Sequence, residues 1–225
     1  MMNITIHPSV FSEFNENFSV GILYCTDIDN SESPVDIHEM LRDIEEYTRL
    51  NFTKDTAKTH HLISAWNAAI AHYGEKFHHY HTNVERLMQQ VLDGDEIASS
   101  TKIIDLINFF SLKYLVPMGA LDASKLASPE FKVAKTSSST NEEKFELILT
   151  DKEKILAHQL NYDVDKKVMP HEDTKTALIY IEALPPTSKA QLEKIMDEIA
   201  ALIRVFCSGK IKKAVINKEN KKASL

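Results

Sequence analysis

The chain has few of the residues that mark nucleotide, redox or membrane chemistry. Only five glycines occur among 225 residues, and none forms a GxxxxGK[ST] or GxGxxG loop. Without such a loop to bring backbone N–H groups against phosphates, we expect no use of ATP or of a dinucleotide cofactor. GxSxG, HExxH and CxxC motifs are absent too. No apolar run approaches the roughly 20 residues that span a bilayer, so no membrane association is expected.

The two cysteines, Cys25 and Cys207, stand near opposite ends of the chain. Two thiols without a spacing pattern are typical of a reduced, intracellular protein, so we predict free thiols and a cytoplasmic location. Cys25 follows a predicted strand and is a candidate nucleophile. Nothing near it in sequence would activate a thiol, and a buried, inert side chain is therefore expected.

Charge is spread unevenly along the chain. The net charge of −7 argues against a non-specific nucleic-acid binder. Residues 210–222 nevertheless hold six lysines against one glutamate. We predict one domain over residues 1–209, followed by a flexible basic tail at 210–225. A frayed, solvated terminus is the simpler interpretation of that tail, and an arm that binds phosphates is the alternative.

Hydrophobic periodicity predicts an α+β fold. Strands are expected at Ile4–Ile6 and Phe18–Tyr24, and later near residues 145–149, 155–160 and 177–181. Helices with core-facing stripes cluster between these two groups, and the capping boxes Thr82–Glu85 and Ser188–Gln191 mark two helix starts. Residues 120–143 are polar and rich in serine, and SSST at 137–140 predicts an exposed loop. Helices between groups of strands, without strict βαβ alternation, favour a single domain of mixed or antiparallel sheet with packed helices.

Two polar residues interrupt the most apolar predicted helix, which runs from Thr101 to about Tyr114. Asp105 and Asn108 are three apart and therefore share one face of that helix. Buried polar groups need partners, or a ligand that completes a pocket. Two interpretations stay open: the two side chains satisfy neighbouring backbone groups, or they line a binding site.

Ten histidines raise the question of a metal site, above all His78, His79 and His81. Adjacent histidines do not readily point at one ion, and no cysteine or suitably spaced carboxylate stands beside them. We therefore expect no metal and no cofactor. A metal-dependent hydrolase using these three residues remains a minor alternative.

Four segments in order resemble one known family. They are AWNAAIAHYG, TNVERLMQQVLDGD, KIIDLINFFSLKYLVPMGALDASKL and LNYDVDKKVMPHEDTKTALIYIEALPP. Together they resemble the freestanding B3/B4-domain proteins, which are similar to the editing domain in the β subunit of phenylalanyl-tRNA synthetase. The resemblance covers roughly residues 18–208. It implies a B3/B4-like fold, an aminoacylated tRNA 3′ end as partner, and hydrolysis in trans of the ester of a mischarged tRNA.

The resemblance also implies roles for individual residues. Asn108 matches the asparagine of the family's pocket helix, and Asn161 that of its W-N-W segment, so these two are the predicted catalytic residues. The predicted substrate-binding residues are Asp105, Gly119, Tyr162 and Glu182.

Departures from the family pattern support an alternative function. The synthetase domain has a histidine where this chain, like the freestanding relatives, has Gly119. The W-N-W segment is Leu160-Asn161-Tyr162 here, and Asp163 stands where an arginine often follows. The alternative is a non-catalytic module that binds an amino acid or RNA.

Overall fold

The computed structural model describes residues 2–71, 82–137, 143–158 and 163–225. In this part of the chain six α-helices and ten β-strands occur. The helices are α1 Val35–Asn51, α2 Lys54–Thr59, α3 His61–Ala71, α4 Asn83–Leu92, α5 Lys102–Tyr114 and α6 Lys189–Phe206. The strands are β1 Asn3–Ile6, β2 Ser19–Thr26, β3 Met118–Asp122, β4 Pro129–Ser137, β5 Glu143–Asp151, β6 Lys154–His158, β7 Asp163–Val164, β8 Thr176–Ala183, β9 Lys210–Ile216 and β10 Lys222–Ser224.

The strands form two sheets, and the helices cover one of them. The four-stranded sheet has the order β3-β8-β2-β9 and is antiparallel throughout. The six-stranded sheet has the order β10-β1-β4-β5-β6-β7, with a single parallel pair between β1 and β4. The prediction of an α+β domain with mixed and antiparallel sheets is confirmed.

The core has three parts that follow these layers. Residues such as Ile4, Phe131 and Tyr180 fill the space between the two sheets. The opposite face of the four-stranded sheet, including Ile179 and Ile181, packs against α1, α5 and α6. A smaller cluster lies among helices α1 to α5. Strand β8 is buried on both faces because it lies between these two larger clusters, as its continuous apolar run predicts.

Both predicted capping boxes are present. The Thr82 side chain accepts a hydrogen bond from the Glu85 N–H at the start of α4, and Ser188 accepts one from Gln191 at the start of α6. Each satisfies N–H groups that a helix leaves without intrahelical partners. The local sequence therefore fixes where both helices begin.

Residues 120–143 are polar and rich in serine, yet most of those that the structure describes form strands. Residues 118–122 form β3, and the paired strands β4 and β5 occupy most of the remainder. Polar residues dominate this stretch because only one face of β4 is covered, through Phe131 for example. Of the predicted SSST turn, Ser137 ends β4, whereas residues 138–140 lie outside the described residues.

The predicted flexible tail at 210–225 is also wrong. Strand β9 pairs with β2 from Thr26↔Lys210 to Val20↔Ile216, and β10 pairs with β1. The lysines are interrupted by residues that enter the core, of which Ile216 is fully buried. Lysine side chains can lie at a sheet edge with their charge in water, so a basic composition does not prevent strand pairing. These residues belong to the same domain as the rest of the chain.

Candidate functional site

A cavity of about 260 Å³ lies beside β3, at an edge of the four-stranded sheet. Its walls come from α4, α5, β3 and residues 97–98, and Val164 and Met169 close one side. Pockets for drug-sized ligands usually measure roughly 300–1,000 Å³, so this one suits a ligand no larger than an amino acid.

Asn108 and Gly119 line this cavity together, as the resemblance implies. Asn108 stands on the cavity side of α5 and is partly exposed. Among the described residues no hydrogen bond to its amide is found, so both its N–H₂ and its oxygen remain available to a ligand. Gly119 lies on β3 opposite Tyr180 of β8.

The free edge of β3 adds backbone groups to the cavity. The Glu182 N–H donates to the Pro117 carbonyl oxygen across the β3–β8 pair. In an antiparallel ladder such bonded pairs alternate, so Gly119 also bonds towards β8. The N–H and C=O groups of Met118 and Ala120 therefore point away from β8, towards the cavity that both residues line.

Asn83 is a cavity residue that the sequence did not single out. It is the first residue of α4, it is only 7% exposed, and its side-chain N–H₂ donates to the Met118 carbonyl oxygen. An asparagine directly after a helix cap gives no sequence signal of a binding site, because such positions tolerate most polar residues. Only the packing of α4 against the edge of β3 reveals its position.

Asp105 does not line the cavity. It is fully buried, and its carboxylate accepts hydrogen bonds from the hydroxyls of Ser33 and Ser99, each at 2.6 Å, and from the Ser100 N–H at 2.9 Å. These bonds hold the segment before α1 and the segment before α5 against the start of α5. The arrangement matches the structural interpretation of Asp105, in which it satisfies its neighbours.

Glu182 is buried on the face of β8 that also carries Tyr180, between the two sheets. It lies opposite Val20 of β2, and it is not among the described residues that line the cavity. Burial away from water raises the pKa of this carboxyl from its ordinary value of 4.5 to about 8. Its Oε2 atom has no hydrogen-bond partner within the described ranges. Glu182 is therefore protonated at neutral pH.

Asn30 positions one wall of the cavity. The Asn30 side chain accepts from the Ile103 N–H and donates to the His171 carbonyl oxygen, both at 2.9 Å. It therefore ties the start of α5 to the segment that carries Met169. Asn30 is fully buried, which fits a positioning role.

The remaining predicted site residues divide into two groups. Asn161 and Tyr162 lie outside the described residues, as do His78, His79 and His81. Within the described ranges no group of histidine, cysteine and carboxylate residues is suited to hold a metal ion. Cys25 and Cys207 are free and buried, and burial raises the pKa of each thiol to about 12. The predictions of free thiols and of a buried Cys25 are confirmed.

Fold and cavity together define an α+β domain with a small-ligand pocket at a sheet edge. The family model of the B3/4 domain matches residues 65–208, more than half of the chain. The chain therefore belongs to the B3/4 domain family, whose members are related to a domain of aminoacyl-tRNA synthetases. No curated protein matches it. In the described ranges no helix combines the length and apolarity needed to cross a bilayer.

The region that the family model matches leaves out strands of both sheets. Strands β2 and β9 lie outside residues 65–208, although they belong to the same sheet as β3 and β8. The cavity residues from Asn83 to Met169 all lie inside the match. The part of the chain that the family shares is therefore the part that forms the cavity.

Proposed function

We propose that this protein hydrolyses the ester of a mischarged aminoacyl-tRNA in trans, in the cytoplasm. The observation that carries this proposal is the meeting of Asn108 and Gly119 in one small cavity within a B3/4 domain. The chain has no phosphate-binding glycine loop, so amino-acid activation with ATP is not part of the proposal.

The proposed reaction needs positioning more than a strong nucleophile. Water adds to the ester carbonyl carbon, the bond to the ribose oxygen breaks, and that oxygen takes up a proton. In this proposal the side-chain N–H₂ of Asn108 donates to the carbonyl oxygen as that oxygen gains negative charge. Asn161 is proposed as a second donor, and Gly119 and Tyr162 as parts of the surface that receives the amino-acid side chain.

Ammonium binding by a carboxylate is not favoured by the geometry. Of the two candidates, Asp105 uses both carboxylate oxygens within the protein, and Glu182 lies between the sheets in its neutral form. We therefore place both residues in supporting roles. The substrate's amino group needs another acceptor.

The proposal is tested with purified protein against a panel of cognate and mischarged tRNAs. We expect hydrolysis of at least one mischarged species, at a rate that falls at higher salt because tRNA phosphates contribute to binding. Asn108→Ala should lower the rate by about two to three orders of magnitude, the usual cost of removing one oxyanion donor. Circular dichroism should show an unchanged fold.

A matched control separates the loss of this amide from a general effect. Asn51→Ala removes an exposed amide at the end of α1, far along the chain from the cavity, and should leave the rate unchanged. A folded Asn108→Ala protein with wild-type activity would contradict the assigned role.

One observation favours the alternative, a non-catalytic amino-acid or RNA binding module. Among the described residues that line the cavity there is no carboxylate, imidazole or thiol to serve as a general base. Thermal stabilisation by free amino acids without hydrolysis of any tRNA in the panel would establish this function instead. Metal analysis of untagged protein tests the remaining alternative, a hydrolase using His78, His79 and His81.

A further inference from the structure

Asn83 presents an unused acceptor at the wall of the cavity. Asn83 is only 7% exposed, and it lines the cavity beside β3. Its side-chain N–H₂ donates to the Met118 carbonyl oxygen. Its Oδ1 atom is buried and has no hydrogen-bond partner among the described residues.

The orientation of this amide follows from chemistry. A carbonyl oxygen only accepts hydrogen bonds, so the N–H₂ group must face Met118 and Oδ1 must face away from it. The Met118 carbonyl is available because it points from the free edge of β3, as the alternation of the β3–β8 ladder requires. The pairing of β3 with β8 directs the Met118 carbonyl towards Asn83, and this contact in turn fixes the side of the amide on which Oδ1 lies.

A buried acceptor without a donor is rare in native proteins and costs folding free energy. It is accounted for if a donor arrives with a ligand. Since Asn83 is one of the residues that line the cavity, a ligand bound there could bring such a donor.

A complementary donor lies next along the same edge. The Ala120 N–H points outward two residues beyond Met118, and both residues line the cavity. Asn83 Oδ1 and the Ala120 N–H thus offer an acceptor and a donor side by side. An aminoacyl ester carries the matching pair, an ammonium and a carbonyl group separated by one carbon.

We propose that Asn83 Oδ1 accepts a hydrogen bond from the α-ammonium of the aminoacyl group, while the Ala120 N–H and Asn108 hold its carbonyl oxygen. The inference deepens the proposed function and rests on it for the identity of the substrate. The neutral amide oxygen of Asn83 then accepts the hydrogen bond from the ammonium, because no carboxylate is among the described residues that line the cavity. The bound amino acid follows the free edge of β3 as one residue of an added strand would.

The first experiment varies the ligand and leaves the protein unchanged. The probes are the amides of the standard L-amino acids, which lack the ester bond, each compared with the same amide without its α-amino group. We expect at least one amino-acid amide to bind, measured by thermal shift and calorimetry. Its counterpart without the amine should bind about 10- to 100-fold more weakly, because a charge-assisted hydrogen bond is lost.

The second experiment tests whether Asn83 is the partner of that amine. In Asn83→Leu the two probes should bind with equal affinity, because the acceptor is gone. Gln89→Leu is the matched control, since it removes an amide from the same helix in a different cleft. The control should keep the full preference for the amine.

Three results would overturn the inference. They are no binding by any amino-acid amide, equal binding of both probes to the wild-type protein, and an amine preference that persists in a folded Asn83→Leu protein. If Asn83→Leu does not fold, the comparison of the two probes on the wild-type protein can still overturn the inference. Hydrolysis of tRNA esters without an amine preference would contradict this inference alone, whereas an amine preference through Asn83 without hydrolysis would contradict only the proposed activity.

Discussion

Two buried carboxyl groups near the cavity differ in how the fold satisfies them. Asp105 accepts hydrogen bonds from the hydroxyls of Ser33 and Ser99 and from the Ser100 N–H. Glu182 Oε2 has no hydrogen-bond partner among the described residues, and burial raises the pKa of this carboxyl to about 8. At the scale of the residue, the donors that surround a buried carboxyl, and not its residue type, decide how the fold satisfies it.

Glu182 makes stability depend on pH. Below about pH 4.5 the carboxyl is protonated in both the folded and the unfolded chain. Between about 4.5 and 8 only the unfolded chain ionises, so the free energy of unfolding falls with rising pH. The slope from this one group is about 1.4 kcal/mol per pH unit, and it disappears above the folded-state pKa.

Glu182→Gln should therefore remove that decline. The measurement is the free energy of unfolding in urea across pH 5 to 8, which spans most of the interval between the two pKa values. Glu198→Gln serves as control, because hydrogen bonding by Lys113 lowers the pKa of Glu198 below this range. The control should keep the wild-type slope. An equal slope in wild type and Glu182→Gln would show that Glu182 is ionised in the folded protein.

At the scale of the element, the turn from α6 into β9 sets the edge of the four-stranded sheet opposite β3. Gly209 lies in this turn with a φ of +86°, and a Cβ placed there would approach the Thr26 carbonyl oxygen to 2.5 Å. Both the backbone conformation and the close approach to β2 therefore require glycine. This turn brings the lysine-bearing segment into register with β2.

Gly209→Ala should destabilise the protein by about 1–3 kcal/mol, from left-handed backbone strain together with the clash. Gly94→Ala is a matched control, because Gly94 also has a positive φ of +95° but a Cβ there would meet nothing within 4 Å. The control should cost about 1 kcal/mol, from backbone strain alone. Urea unfolding compares the two. Equal losses would contradict the close approach between Gly209 and β2.

At the scale of the whole molecule, both chain ends are part of the same sheet. The N–H groups of Met2 and Leu225 each donate to the other's carbonyl oxygen at 2.8 Å. Strand β9 completes the sheet that carries β3 at its far edge, and β10 completes the second sheet. The support of the cavity therefore extends through the sheet to the last residues of the chain.

Removal of residues 210–225 should abolish cooperative folding. It exposes the long edge of β2 and withdraws the buried Ile216 and Leu225 from the core between the sheets. Such a loss is comparable with the roughly 5–15 kcal/mol that stabilises a typical domain. Thermal unfolding followed by near-ultraviolet circular dichroism is the measurement.

The control for the truncation retains the strands and removes charge. Replacement of Lys212, Lys221 and Lys222 by glutamine should change stability by less than about 1 kcal/mol, because all three are exposed. A truncated protein that unfolds cooperatively at the wild-type temperature would show that the segment is dispensable for the fold.

The sequence by itself determined most of the helical part of this protein and two residues of its cavity. Capping boxes and apolar stripes located α4 and α6, because these signals depend on residues three or four apart. The family resemblance pointed to Asn108 and Gly119, and the structure places both in one cavity. The same local patterns gave a flexible tail at 210–225, where strands exist.

Only the tertiary structure decided the strand pairing and the polar character of the cavity. Strand β9 is stabilised by pairing with β2, which is distant from it in sequence. The lysine-rich composition of β9 therefore does not predict a strand. The burial of Glu182, the hydrogen bonds of Asp105 and the unpartnered oxygen of Asn83 all depend on which elements meet. Local sequence carries the forces between near neighbours along the chain, whereas burial and edge position arise only when distant segments pack together.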